Sequence, residues 1–158
     1  MREAPRKQIS KRALPAWRIS ATISSAVGWL IVIGAFIMNR MFDWPFWLFL
    51  LLLSASIIET IVSVFIIPNV RWKRWRYEVF EHEVEIQQGV FVVKRTIIPM
   101  MRVQHVDTKQ GPILRAYDLA SVTISTAATV HEIPALDLDE ADELRDFISR
   151  LARVDDDV

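Results

Sequence analysis

The chain opens with two long apolar runs and then changes its period. From Ile19 to Met38 no position carries a charge, and a second run from Trp44 to Ile67 is interrupted only by Glu59. At 1.5 Å of rise per residue, about 20 such residues cross a hydrocarbon core of roughly 30 Å, so both runs predict membrane-spanning helices. Asn39-Arg40-Met41-Phe42-Asp43 between them leaves room only for a tight turn. A cleaved leader would have a shorter apolar stretch followed by a polar mature chain, so the pattern predicts a retained hairpin. Trp44 and Trp47 beside the turn, with Trp17, Trp72 and Trp75 at the opposite faces, suit the headgroup boundary.

Past residue 76 the apolar positions alternate. Tyr77 and Val79, Val84 and Ile86, and Val90 and Val92 predict half-buried strands, with Glu81-His82-Glu83 and Gly89 as connections. A strand fits Val90 to Ile98, which Pro99 must end or place on an edge, and others fit Arg102 to Lys109, Ser121 to Thr126 and Thr129 to Ile133. That makes about six short antiparallel strands. Leu138, Ala141, Leu144, Ile148 and Leu151 then recur at helical spacing, with Asp137 as N-cap and Glu140 as its capping-box partner. The expected fold is a membrane α-helical hairpin plus an α+β domain, a small antiparallel β-barrel or sandwich capped by the C-terminal helix. The expected divisions are a basic segment 1–18, the hairpin 19–67, a basic linker 68–76, the β-domain 77–154 and an acidic tail 155–158.

A hydrophobic share of 52% agrees with a lipid environment. The absence of cysteine excludes disulfides, thiolate metal sites and a cysteine nucleophile. The net charge of zero hides a polarity: Arg2, Arg6, Lys7, Lys11, Arg12 and Arg18 crowd one end, while Asp137, Asp139, Glu140, Asp142, Glu143, Asp146 and Asp155 to Asp157 crowd the other. Six cations precede the first run, Arg71, Lys73, Arg74 and Arg76 follow the second, and Arg40 alone lies between. The positive-inside rule therefore predicts that both termini and the β-domain are cytoplasmic. Arg71, Lys73, Arg74 and Arg76 are candidate contacts to anionic lipid headgroups, worth about 1 kcal/mol each near the surface.

Glu59 stands out, because a carboxylate deep in a span costs at least about 2.5 kcal/mol if ionised. Ser56, Glu59 and Ser63 fall at spacings of three and four and predict a polar stripe facing protein. Ser20, Ser24 and Gly28 offer a small-residue stripe on the first helix, and an antiparallel hairpin sets Glu59 level with Ser24 to Gly28. Such a carboxyl fixes helix pairing, docks a partner's helix or titrates in transport.

Little else suggests chemistry. His82, His105 and His131 are isolated, no paired-histidine metal motif or phosphate-cradling glycine loop occurs, and no signature joins Ser121, Ser125 or Thr126 to His131 as nucleophile and base. No enzyme, cofactor or metal is expected. The basic residues concentrate at the membrane, which disfavours nucleic acid. Arg102, Gln104, His105 and Asp107 form the most polar strand cluster and a candidate interaction surface.

The run Pro99, Arg102, Val103, Gln104, Val106, Asp107, Gln110, Gly111, Pro112, Leu119, Val122, Ile124 and Thr126 resembles the bacterial pleckstrin-homology-like (PH-like) domain of membrane proteins, and the two preceding spans match as well. Asp118 stands where that family usually has glycine. The resemblance implies a seven-stranded, helix-capped fold tethered to the inner leaflet, often found beside larger membrane proteins bearing several such domains, and no defined activity. The expected partners are membrane lipids and either a related multi-domain PH-like membrane protein or further copies of the chain. Phosphoinositide binding does not carry over, because it needs cations around the first hairpin, where this chain has Glu81-His82-Glu83.

Overall fold

The computed structural model describes residues 3–157, apart from the side chains of Asp155 and Asp156. Arg2 of the basic cluster, those two side chains and Val158 of the acidic tail lie outside the described residues. Two compact units result: residues 17–69, and a second made of the described residues up to Ala16 with those from Val70 onward.

The first unit is the hairpin. Helix α1 (Ala13–Phe42) runs four residues past Met38, so the turn is tighter than predicted, Asp43 to Pro45. Asp43 adopts a left-handed φ of 52°, which an aspartate tolerates better than most residues, and the Asn39 side-chain amide donates to the Trp44 carbonyl. Helix α2 (Phe46–Ile61) passes through a π-helical turn, Val62–Ile66, into α3 (Ile67–Arg74). Pro68 has no N–H to give to Val64, and its ring would strike that carbonyl in a regular helix. The π turn, in which Ile67 N–H reaches back to Val62, widens the ladder just ahead of it. The helix therefore continues to Arg74, and the expected linker 68–76 is helix followed directly by strand.

Both helices are long and apolar enough to cross a membrane. They meet along Arg18 and Asn69 (3.3 Å), Trp29 Nε1 and Thr60 Oγ1 (2.9 Å), and the rings of Phe36 and Phe49 (5.5 Å). Ser25 and Val32 are buried, whereas Ser20 and Ser24 are exposed. The predicted stripe at constant spacing four is thus displaced to Ser25, Gly28 and Val32. A row of fours drifts around an α-helix, while alternating threes and fours stay on one face.

The second unit holds seven strands in two antiparallel sheets among the described residues. One sheet runs in chain order through β1 (Lys7–Gln8), β2 (Arg76–Val79), β3 (Glu83–Gln88) and β4 (Lys94–Pro99); the other contains β5 (Val103–Lys109), β6 (Leu119–Thr126) and β7 (Val130–Asp137). Period-two alternation turns Tyr77, Val84, Ile86, Val122, Ile124 and Ile133 into the core. A short helix α4 (Pro112–Ala116) joins β5 to β6, and Asp118 after it has φ 52°. That left-handed backbone explains why glycine suits the position and how aspartate replaces it. Helix α5 (Leu138–Asp156) lays Ala141, Leu144 and Ile148 over the second sheet and the 3-10 turn Met100–Arg102.

Four further expectations change. The segment 1–18 does not stand apart: β1 pairs Lys7 with Tyr77 and Gln8 with Arg76, and Ile9 is only 3% exposed. A two-residue strand has no period to read, and its partner lies beyond the whole hairpin. The strand expected from Val90 begins at Lys94, because Gln88 pairs with Lys94 and the chain reverses over residues 89–93. Trp75 is 1% exposed within the domain, and Trp72 donates to the Ser10 carbonyl (3.1 Å), so neither serves simply as a belt residue. At the start of α5 neither acid caps with its side chain. Asp137 Oδ1 instead accepts from Arg12 (2.6 Å) and Ser10 Oγ (2.8 Å), and Glu140 Oε1 accepts from Tyr77 Oη (2.9 Å). A charge-assisted bond to a guanidinium outcompetes a backbone amide for the Asp137 carboxylate.

Candidate functional site

Within the hairpin, Glu59 Oε1 accepts from Ser63 Oγ at 2.7 Å on its own helix and from Ser25 Oγ at 3.2 Å on the other. Ser63 is there because four residues make one helical turn. Ser56, one turn earlier, sits in the helix contact, where a Cβ built on Gly28 would come 3.9 Å from its Oγ. Ser56 and Ser63 are half-buried, but Glu59 itself is exposed on the hairpin surface, at the rim of the helix contact rather than inside it. Ser25 was not singled out from the sequence; the alternating three-four row that includes it was the available signal.

The four juxtamembrane cations do not form one cluster. Lys73 and Arg74 are exposed on the last turn of α3, and Arg74 Nη1 donates to the Val90 carbonyl (2.5 Å). Arg71 lines a cavity of about 290 Å³ with Trp75, Thr96 and Glu132, while Arg76 lies within β2 between its two neighbours in the sheet.

The expected strand cluster is divided: Arg102 closes the 3-10 turn ahead of β5, Gln104 lies at a bulge between Val103 and His105, and only His105 and Asp107 follow on the regular strand. Arg102 and Gln104 line a surface groove of about 450 Å³ with Ile97, Met101 and Thr129. His105 and Asp107 lie further along the exposed strand, Nε2 to Oδ2 3.9 Å. The groove's apolar part was missed from the sequence. Met101 is 72% exposed beside a fully buried Met100, and only the 3-10 turn decides which of the two adjacent methionines points outward.

The connection between β2 and β3 opens on a third concavity, of about 780 Å³, which gathers Glu3, Glu78, Glu81, Glu83 and Glu85 with Arg6 and His82. This basin strengthens the electrostatic objection to an anionic headgroup at that hairpin. Glu85 is a buried charge that the pattern concealed within a strand, and it pairs with the guanidinium of Arg95 on β4. Elsewhere the Arg12 guanidinium, and then the Ser10 hydroxyl, hold the Asp137 carboxyl below the usual carboxylate range. Burial, then the neighbouring Glu140 carboxylate, pushes the Tyr77 phenol well above its ordinary value, so it remains a donor at neutral pH. His131 contacts Thr129 Oγ1 at 2.9 Å, and among the described residues no three of His, Asp or Glu converge as a metal-binding group.

Comparison with known proteins agrees with this architecture. The family described as bacterial PH domain matches residues 19–152. The UPF0699 transmembrane protein YdbS of Bacillus subtilis (strain 168) is 59% identical over 157 residues, 99% of both chains. The UPF0699 transmembrane protein YdbT of the same organism is 28% identical over 105 residues, covering 64% of this chain and 19% of that longer one. No solved structure matches significantly. Two helices fit to cross a membrane, seven strands in two sheets, a closing C-terminal helix and a matched region covering most of the sequence together make this chain a membrane protein of the bacterial PH domain family.

Proposed function

We propose that the protein is a membrane-anchored, non-enzymatic interaction module that assembles with a related, larger PH-like membrane protein at the cell envelope. The groove on the second unit carries this reading. Met101 (72% exposed) and Ile97 (46%) present apolar surface beside the polar Arg102 and Gln104, and among the described residues β4 and β5 each have a pairing partner on one side only. Exposed strand edges beside apolar side chains are where a second chain adds contacts. The alignment with a much longer relative adds support, because part of that longer chain is related in sequence to this one. Both termini are assigned to the cytoplasm. The cation distribution favours that orientation, and β1 belongs to the same folded unit as the C-terminal domain, so both ends share a side.

The test is purification of the tagged, detergent-solubilised chain from its native membrane, with Met101→Asp in parallel. Recovery of a larger member of the same family in near-stoichiometric amount, lost with Met101→Asp, is the expected result. Self-association alone, unchanged by that substitution, would overturn the reading.

A second reading rests on the exposed rim position of Glu59. In it the chain is a small transport or permeation subunit whose carboxyl titrates within a bundle of hairpins. Glu59→Gln separates the two: assembly through the groove survives that change, and ion-coupled transport does not.

A further inference from the structure

We propose that the β3–β4 connection, residues 89–93, inserts its apolar tip into the lipid interface of the membrane that the hairpin crosses, holding the β-domain against the bilayer by a contact separate from the helices. Val90, Phe91, Val92 and Val93 are four consecutive apolar residues in a chain reversal. Phe91 is 91% exposed, Val92 79% and Val93 49%. A run of this kind on a loop tip has no counterpart in the core and is unfavourable in water. The loop is also held in shape. Gly89 has φ 139°, and a Cβ built there would overlap the Val92 carbonyl, so the reversal is tight and needs glycine at its start.

The loop's attachment says what covers it. Arg74 donates to the Val90 carbonyl, and Arg74 is the last residue of the helix that continues the second span. From Ile67, where the apolar run ends, to Arg74 the helix rises about 10 Å, close to the depth of a headgroup layer. The loop backbone is therefore tied to a residue that the covalent chain brings to the membrane surface. Exposed Arg74 and Lys94 stand at the loop's base, with exposed Lys73 next to Arg74 in the chain, and suit anionic lipid, while the tip offers only hydrocarbon. Charge along β3 points the same way. Its other end opens on Glu81, Glu83 and the rest of the acidic basin, and six residues of strand separate the two ends by about 20 Å, beyond the Debye length in physiological salt. A negatively charged leaflet attracts the Lys94 end and repels the Glu81 end. The inference uses the membrane character of the chain and does not depend on the assembly reading.

The absence of cysteine makes the test clean. Single substitutions Phe91→Cys and Val92→Cys in the full chain each take a nitroxide label, with Glu81→Cys as an aqueous reference and Leu30→Cys as a reference within the first span. The labelled proteins are reconstituted into vesicles of phosphatidylcholine and phosphatidylglycerol. Collision rates with oxygen and with a water-soluble nickel chelate are then measured. The expected result is loss of nickel collisions at positions 91 and 92 relative to 81, with oxygen collisions raised toward those at 30. Nickel collisions at 91 and 92 equal to those at 81 would overturn the proposal, as would protection seen in native membranes but absent from the lipid vesicles, which would mean that a protein covers the tip. The Leu30 label reports independently whether the hairpin spans the vesicle, so failure of the membrane reading is distinguishable from failure of the loop to insert.

Discussion

Replacing Ile9 by alanine tests the claim that the N-terminal segment is built into the β-domain. Ile9 follows β1 and is 3% exposed, flanked by Gln8 paired with Arg76 and by Ser10, whose N–H donates to the Ala135 carbonyl. The substitution deletes three carbons, which at about 0.8 kcal/mol per buried methylene removes about 2.4 kcal/mol of transfer free energy. A cavity in a site closed by two strands relaxes only partly, so the expected loss is about 2.5–4 kcal/mol. Against a typical domain stability of 5–15 kcal/mol this is a large fraction, and about 4–8 °C per kcal/mol places the fall in Tm at roughly 10–30 °C. The assay is urea and thermal unfolding of the full chain in mild detergent, followed by near-ultraviolet circular dichroism, to which the buried Trp75 and Tyr77 contribute. Lys11→Ala, at an exposed neighbouring position, is the control and changes stability by less than about 0.5 kcal/mol. If Ile9→Ala also stays within about 0.5 kcal/mol of the parent, residues 1–18 form the independent segment that the sequence pattern suggested, and the seven-stranded account is wrong.

The Arg12–Asp137 pair sets an acid limit. Because the folded Asp137 carboxyl titrates below its unfolded value, its contribution is complete above the ordinary aspartate range and disappears as pH falls through the folded value. The difference in Tm between the parent and Asp137→Asn should therefore be largest near pH 6 and shrink towards pH 3; a constant difference would exclude the linkage. Tyr77→Phe removes the phenol that donates to Glu140 while keeping the ring in the core, and should lower stability by about 1–2 kcal/mol in urea titrations. Arg95→Ala strands the buried Glu85 carboxylate and should cost about 3–5 kcal/mol, whereas replacing both Glu85 and Arg95 by methionine should recover most of that loss; equal losses in the two variants would show that packing, not charge, is at stake.

Where the information was local, the sequence alone was sufficient. The apolar runs of α1 and α2, the alternation at Tyr77, Val84, Ile86 and Val122, and the amphipathic period of α5 each follow from how side chains must face lipid or a core, so their existence and type were legible. The pairing of Ser63 with Glu59 was legible for the same reason, since one helical turn separates them. What only the tertiary structure decided depends on partners distant in sequence. A two-residue strand, β1, gains its meaning from Tyr77 across the hairpin. Asp137 and Glu140 look like a self-contained capping box until Arg12, Ser10 and Tyr77 approach from elsewhere and take their oxygens. Ser25 rather than Ser24 meets Glu59 because helix pairing selects one face among several that spacing permits. Val90 to Val93 read as strand by composition, yet they form an exposed tip because the Gln88–Lys94 register places the reversal there. Periodicity is a property of each segment by itself; which face, which register and which donor win is settled by the free energy of the whole packed chain.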